Sequence, residues 1–161
     1  MDDILLLETL EKDARISDAS LAKMLGASEA EVKSRIDELK RAGVIKAFRT
    51  YVDWEKRGDN QITAYIEVKV TPQARTGFSE LGDELAANEK VKEVIVASGE
   101  YDLIVKITGR DLKDISNFVT EMLAPKKEVT GTYTKFVLKK FKENGVILAD
   151  AARAKKLVIS A

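Results

Sequence analysis

The sequence predicts an α+β protein in which a small, mainly helical N-terminal domain precedes a domain built from two successive βαβ units. Three observations predict this fold. Apolar residues recur at helical spacing as far as Gly43, and a polar segment containing Gly58 follows. Strand-like and helix-like patterns then alternate to Leu138 in the order β-α-β-β-α-β. A chain of 161 residues has room for two small domains.

Three short helices are predicted in the N-terminal domain. The first has an apolar face at spacings near i, i+3 and i+6, formed by Ile4, Leu5, Leu7 and Leu10. Ser17 can cap a second helix, and Gly26 can adopt the left-handed turn after it. A third helix starts at once, because Ser28 and Glu31 have the spacing of a capping box.

The third helix has a predicted buried stripe at Val32, Ile36 and Leu39, and Gly43 ends it. Its more exposed positions are Lys33, Ser34, Asp37, Lys40 and Arg41. The segment Val44–Val52 alternates enough, with β-branched and aromatic residues, to predict a strand or wing that leaves the helical unit.

Two helices joined by a tight turn at Gly26 have the pattern of a helix-turn-helix. The second helix of that motif lies in the DNA major groove with its N-terminal residues at base edges, which makes Ser28, Lys33 and Ser34 candidate contacts. Basic side chains suited to phosphates or bases follow at Arg35, Lys46 and Arg49. Because 27 basic and 27 acidic residues cancel, a DNA contact must come from a local patch. The alternative is a small helical bundle with a solvated, mixed-charge face.

The polar segment 53–61 is the predicted linker, with the boundary near Asn60, so that the domains are 1–60 and 61–142 and a tail follows at 143–161. Strands are predicted at 64–70, 91–97, 103–108 and 129–138. One helix is marked by Phe78, Leu81 and Leu85, and Asp111 can cap another that carries Ile115, Phe118, Val119 and Met122. This order predicts a ferredoxin-like βαββαβ fold. The sheet face without helices must be polar, wet or covered by another subunit, so we expect an oligomer.

A short loop, Gly99–Asp102, lies between two of these predicted strands. Gly99 permits a tight backbone, and Glu100 and Asp102 could hold an ammonium group while backbone amides hold a carboxylate. The alternative is a simple hairpin turn in which Tyr101 covers an edge. In the tail, residues 149–157 have a helical pattern.

Composition argues against an enzyme and a metal site. Cysteine and histidine are absent, which removes the commonest general base, the commonest transition-metal ligands and every Ser-His or Cys-His nucleophile. The glycines have neither phosphate-binding nor dinucleotide-binding spacing, so no cofactor is expected. No apolar run approaches a membrane span or follows a basic leader, and the chain is predicted to be cytoplasmic.

Five segments resemble the Lrp/AsnC family of feast-or-famine transcriptional regulators, over about residues 1–142. Three lie in the N-terminal half: Asp3–Ile16 with its D-A-R-I ending, Ser20–Ser28 with its LA…G-S turn, and Val32–Ile45 with the pattern V-x-x-R-I-x-x-L-x-x-x-G-V-I. Two lie in the C-terminal half: Gly99–Leu103, similar to the family's G-x-Y-D loop, and the Thr-rich strand Val129–Thr134.

The resemblance implies a regulator that binds double-stranded DNA and an amino acid or similar effector. In the family the βαββαβ domains pair into dimers, dimers assemble into tetramers or octamers, and effectors bind between dimers near the G-x-Y-D loop. This implies an effector site at Gly99, Glu100, Tyr101 and Asp102. Two alternatives stay open: an effector-insensitive architectural DNA-binding protein, and an enzyme similar to the siroheme decarboxylases, which are expected to rely on histidine.

Overall fold

The computed structural model describes residues 1–71 and 78–148, and it divides the chain into two compact units, Met1–Val52 and Asp53–Ala161. The division falls at the first residue of the predicted linker. That segment contains a short helix, α4 (Trp54–Arg57), which begins after Asp53 accepts a hydrogen bond from the Lys56 amide. The domain limits 1–60, 61–142 and 143–161 stay a prediction.

The first unit contains the three predicted helices: α1 (Asp3–Lys12), α2 (Asp18–Leu25) and α3 (Glu29–Arg41). Asp2, Ser17 and Ser28 cap their N-termini by accepting backbone hydrogen bonds. The buried residues that hold the helices together are Leu6, Leu10, Leu21, Ala22, Val32 and Leu39.

The predicted apolar face of α1 needs correction. Leu6 and Leu10, which are four residues apart, form the buried face, whereas Ile4 and Leu5 are exposed and Leu7 is half-buried. Residues on one helix face are three or four apart, and the run Ile4–Leu7 is apolar at every position, so periodicity alone did not determine which side faces the core.

Of the strand or wing predicted over Val44–Val52, the strand is not formed. The amides of Val44 and Ile45 both donate to the Leu39 carbonyl, and residues 46–53 have no regular structure. A β-strand needs a partner strand for its backbone groups, and residues 1–52, all of them described, contain three helices and no strand. The residue preferences of this segment are those of a strand, but within one chain it has no partner.

The second unit has the predicted β-α-β-β-α-β order. Its strands are β1 (Ile62–Val70), β2 (Val91–Val96), β3 (Leu103–Gly109) and β4 (Val129–Phe136), in the antiparallel sheet order β2-β3-β1-β4. Helix α5 (Ser79–Ala86) follows β1, and α6 (Leu112–Phe118) follows β3 and continues into a π-helical turn at Val119–Leu123. The sheet order and helix placement confirm the predicted fold class.

The two faces of this sheet differ in chemistry. Alternate residues of the two central strands are buried against the helices: Ala64, Ile66, Val68 and Val70 on β1, and Leu103, Val105 and Ile107 on β3. The opposite face is polar and includes Tyr65, Glu67, Lys69 and Lys106. This polar face supports the expectation that water or a second subunit covers it.

A small hairpin that the sequence analysis did not predict follows the last sheet strand. It pairs β5 (Lys142–Glu143) with β6 (Val146–Ile147) through a turn at Asn144 and Gly145, both of which have positive φ. Asn-Gly is a preferred pair for such turns, so the signal was present in the sequence. The helix predicted at 149–157 lies outside the described residues.

Candidate nucleic-acid interface and ligand loop

Helices α2 and α3 are joined by a turn of three residues, Gly26–Ser28. Gly26 has φ 62° and ψ 35°, a left-handed conformation that a glycine adopts without steric cost. The Ala27 amide then donates to the Ala22 carbonyl at 3.0 Å and closes the end of α2. The turn directs the chain straight into α3, which gives the helix-turn-helix arrangement that the sequence predicts.

The N-terminus of α3 is fixed by the predicted capping box. The Glu31 carboxylate accepts from the Ser28 amide at 2.8 Å and from its hydroxyl at 2.7 Å, and the Ser28 hydroxyl accepts from the Glu31 amide at 3.3 Å. The hydrogen bonds from the Ser28 backbone and side chain lower the pKa of Glu31. Ser28 therefore holds the start of α3 in a defined geometry at the exposed end of the helix.

One face of α3 is buried and the opposite one is open. Val32 and Leu39 are buried, as predicted, while Lys33 and Ser34 are exposed. Arg41, which is absent from the predicted contact set, is also exposed, and its Nε donates to the Asp37 carbonyl at 3.4 Å. Because residues of an α-helix are about 100° apart, Ser34 and Arg41, seven positions apart, share one outward face.

Arg35, predicted as a DNA contact, is engaged inside the unit. Its Nε and Nη2 donate to the two carboxylate oxygens of Asp3 on α1, at 2.9 and 2.5 Å, and its Nη1 donates to Glu38 at 2.6 Å. These hydrogen bonds and charges raise the pKa of Arg35 and lower that of Asp3. Arg35 therefore links α3 to α1 while its side chain stays 38% exposed, and its assignment as a DNA contact stays a prediction.

Lys46 and Arg49 lie on the irregular segment after α3, and both are exposed. No regular hydrogen bonding holds this segment in the single chain, so these two cations are presented by a chain that follows the helix rather than by a strand. The assignment of Ser28, Lys33, Ser34, Lys46 and Arg49 to DNA stays a prediction.

In the second unit, the loop Gly99–Asp102 connects β2 to β3. Gly99 has φ 143°, and the Ala97 amide donates to the Asp102 carbonyl at 3.0 Å. The Asp102 amide donates to the Val68 carbonyl at 3.0 Å, while the Asp102 carboxylate accepts from the Val70 amide at 2.8 Å. This carboxylate therefore fastens the loop to the end of β1, a structural role that the sequence analysis did not foresee.

Among the other candidate residues of the loop, Gly99 and Glu100 are exposed and Tyr101 is half-buried. Glu100 is exposed, and its backbone carbonyl accepts a hydrogen bond from Lys69 Nζ at 2.5 Å. The Tyr101 ring stacks on Tyr133 of β4 with 6.5 Å between ring centroids. The loop thus brings an acidic side chain and a pair of aromatic rings together at the sheet edge.

An ion pair continues this surface along the polar face of the sheet. Lys135 Nζ lies 2.5 Å from Glu67 and 5.5 Å from the centre of the Tyr133 ring. The hydrogen bond to Glu67 raises the pKa of Lys135. Charges of both signs and exposed aromatic faces next to the loop suit a small zwitterion or a second subunit better than a purely apolar molecule.

The part of the chain that the structure describes contains no helix long and apolar enough to cross a membrane. Within those same residues, His, Cys, Asp and Glu side chains form no group of three or more that could hold a metal ion.

Two family models match the chain, one for each unit. The model described as winged helix-turn-helix DNA-binding matches residues 3–46, and the model described as Lrp/AsnC ligand binding domain matches residues 63–147. The first covers the three helices, and the second covers nearly all of the four-stranded sheet, the loop Gly99–Asp102 and the hairpin.

Curated proteins and a solved structure resemble the chain over most of its length. The uncharacterized HTH-type transcriptional regulator YugG of Bacillus subtilis is 36% identical over 156 residues, which are 96% of this chain and 94% of that protein. The HTH-type transcriptional regulator FL11 of Pyrococcus furiosus is 34% identical over 89% of this chain and 93% of its own. Transcriptional regulator NMB0573 of Neisseria meningitidis, solved as a complex with L-Met, has the same fold, with a TM-score of 0.71, 21% identity and coverage of 89% and 93%.

Proposed function

Because the chain belongs to the Lrp/AsnC family of transcriptional regulators, we propose that it is a sequence-specific DNA-binding regulator that assembles into homo-oligomers and responds to an amino acid or related small molecule. The observation that carries the DNA-binding role is the helix-turn-helix at Gly26–Ser28, which presents Lys33 and Ser34 on the open face of a capped α3. The family models that match both units support it.

For DNA contact, we propose that the N-terminal half of α3 enters the major groove. Lys33 and Ser34 are exposed there and can reach base edges, and the capped N-terminus at Ser28 approaches a phosphate. Lys46 and Arg49 add salt-sensitive phosphate contacts from the segment after the helix. A dimer would set two such helices on a pseudo-palindromic site.

Selection from a pool of randomised DNA duplexes tests this proposal. We expect the full chain to enrich a two-fold-symmetric motif and the Lys33→Ala, Ser34→Ala double variant to lose it. Glu8→Gln, a change at an exposed position of α1, serves as the control and should enrich the same motif. No enrichment by the wild-type chain at low salt would overturn the DNA-reading role.

The sheet face without helices and the exposed apolar side chains near it support the proposal of an oligomer. Ile95 on β2, Leu138 after β4, and Phe141 and Ile147 at the hairpin are exposed in the single chain. Burial of such residues is a common driving force for association. We propose a homodimer that assembles further into a tetramer or octamer, and light scattering of the purified chain gives its mass directly.

The proposed effector site is the loop Gly99–Asp102. Glu100 can receive an ammonium group, and Tyr101, stacked on Tyr133, can cover an apolar side chain. Asp102 contributes by fixing the loop through Val70. L-Met is the first ligand to titrate, because a regulator of the same fold was solved with it. In calorimetric titrations of the full chain with L-Met, we expect the wild type to release or absorb heat on binding and Glu100→Gln to bind L-Met more weakly.

One observation favours the effector-insensitive alternative. The Asp102 carboxylate, one of two predicted ammonium acceptors, is engaged by the Val70 amide. If no amino acid produces heat or changes the oligomer size, the chain is an architectural DNA-binding protein.

We further propose that it has no enzymatic activity, because it lacks the histidine on which the siroheme-decarboxylase alternative depends. We also propose that it acts in the cytoplasm, because a DNA-binding regulator must reach the DNA of the cell.

A further inference from the structure

The guanidinium of Arg35 joins two helices of the DNA-binding unit. It donates two hydrogen bonds to the Asp3 carboxylate of α1 in a parallel fork and a third to Glu38. Along α3 it lies three residues after Val32 and four before Leu39, beside the buried stripe. A fork between planar groups restrains orientation as well as distance. Asp3 itself is held in the first turn of α1 by the Asp2 cap, so both ends of the link are attached to ordered elements.

The charges around Arg35 make direct phosphate binding unfavourable. Asp3 and Glu38 both contact its guanidinium, so the three side chains together carry one net negative charge. A phosphate approaching this cluster meets a cation that is already neutralised and a carboxylate in excess. Arg35 therefore differs from Lys33, whose side chain is exposed on the open face of α3.

The position of Arg35 along α3 determines what its anchoring controls. Successive residues of an α-helix are rotated by about 100°, so fixing Arg35 toward α1 also fixes the directions of Ser34, about 100° away, and of Lys33, on the side of the helix roughly opposite Arg35. A small rotation of α3 about its own axis would move both side chains away from the bases that they face. Buried contacts of Val32 and Leu39 restrain the helix on one side, and the Asp3 link adds a directional restraint at the residue next to Ser34.

We propose that the Asp3–Arg35 ion pair is a positioning element for DNA reading, which sets the rotation of α3 and thereby the sequence preference of Lys33 and Ser34. This inference rests on the proposed DNA-binding function. It assigns a role in specificity to Asp3, an acidic residue on α1 that by its charge alone should disfavour DNA.

The change in DNA affinity caused by Asp3→Asn distinguishes this proposal from two simpler explanations. If charge alone matters, Asp3→Asn removes a negative charge and binding to any duplex becomes tighter or stays unchanged. If the pair only stabilises the fold, specific and non-specific affinity fall together with the folded fraction. If the pair positions α3, specific affinity falls while non-specific affinity, which depends mainly on phosphate charge, is kept.

The experiment measures the affinity of the full chain for its selected duplex and for a scrambled duplex of the same length. We expect Asp3→Asn to weaken specific binding about tenfold, comparable to misreading one base pair, with non-specific binding unchanged. Glu8→Gln, which removes the same charge from an exposed position of α1, should change neither affinity. Equal ratios of specific to non-specific affinity in wild type and a folded Asp3→Asn variant would overturn the proposal.

A charge exchange provides a second, independent variant. Asp3→Arg combined with Arg35→Asp rebuilds the pair with its ends interchanged, and far-UV circular dichroism reports whether the helices are kept. We expect the exchanged protein to recover part of the specificity that Arg35→Asp alone loses, and no recovery in a folded double variant would contradict the inference. Absence of DNA binding by the wild-type chain would instead overturn the proposed function and this inference with it.

Discussion

Lys106, on the central strand β3, forms an ion pair with Glu143 of the β5–β6 hairpin, and the two side chains are only 12% and 16% exposed. Glu143 also accepts a hydrogen bond from Lys140 at 3.1 Å, and Lys106 Nζ lies 5.7 Å from the centre of the Tyr65 ring. The pair therefore fastens the hairpin to the polar face of the sheet.

Replacing Glu143 by Gln should loosen the hairpin. A fully buried pair that loses one partner costs about 3–5 kcal/mol, and the partial exposure here reduces the expected loss to about 1–2 kcal/mol. Hydrogen exchange of peptides covering residues 141–148 should become faster, while exchange in α1–α3 stays as it is. Glu121→Gln, at an exposed position, is the matched control. Unchanged protection of the hairpin would show that the pair does not hold it.

The Lys106–Glu143 pair also predicts how its contribution to stability changes with pH. Burial lowers the pKa of Lys106, but the hydrogen bond and charge of Glu143 outweigh it, so the net pKa is raised above 10.5. A raised folded-state pKa means that the stabilisation is complete below the unfolded value and is lost as pH rises through the folded one. The difference in melting temperature between wild type and Glu143→Gln should therefore be constant from neutral pH to about 10 and shrink above it. A difference that grows with alkalinity would contradict this assignment.

We expect the Asp102 carboxylate to contribute to the stability of the fold even when no ligand is bound. Asp102→Ala leaves the Val70 amide without its acceptor, at a cost of about 1–3 kcal/mol, whereas Asp102→Asn keeps a side-chain carbonyl that can accept the bond. Urea denaturation should rank wild type and Asn close together and Ala below them. Glu100→Gln, which alters an exposed side chain of the same loop, should unfold like the wild type. Equal stability of the Ala and Asn variants would remove the structural role of this carboxylate.

The strands and helices of the second unit could be predicted because the residue patterns that specify them are local in sequence. Each strand alternates over a few residues, and turns or caps such as Asp111 before α6 separate the elements. The apolar run at Ile4–Leu7 had no such alternation, so the buried side of α1 depended on how three helices pack. The Asn144–Gly145 turn was local too, and the hairpin was missed although the signal was there.

The site residues were harder to predict because their roles depend on partners distant in sequence. Arg35 meets Asp3 and Asp102 meets Val70, each 32 positions away along the chain. Both side chains look like free functional groups in the sequence and are engaged in the folded chain. Lys33 and Ser34 need no distant partner to be exposed, and helical spacing from Val32 was enough to predict it.

The salt dependence of DNA binding should distinguish outward cations from Arg35. A cationic side chain that contacts a phosphate releases a counterion, so Lys46→Gln or Arg49→Gln should make the slope of log affinity against log salt concentration shallower by about 1. Arg35→Gln should leave the slope within error of the wild type, because its guanidinium is already neutralised by Asp3 and Glu38. Fluorescence anisotropy over a range of salt concentrations measures each slope on one labelled duplex. If Arg35→Gln makes the slope shallower by as much as Arg49→Gln does, the duplex displaces Asp3 and Arg35 binds phosphate directly.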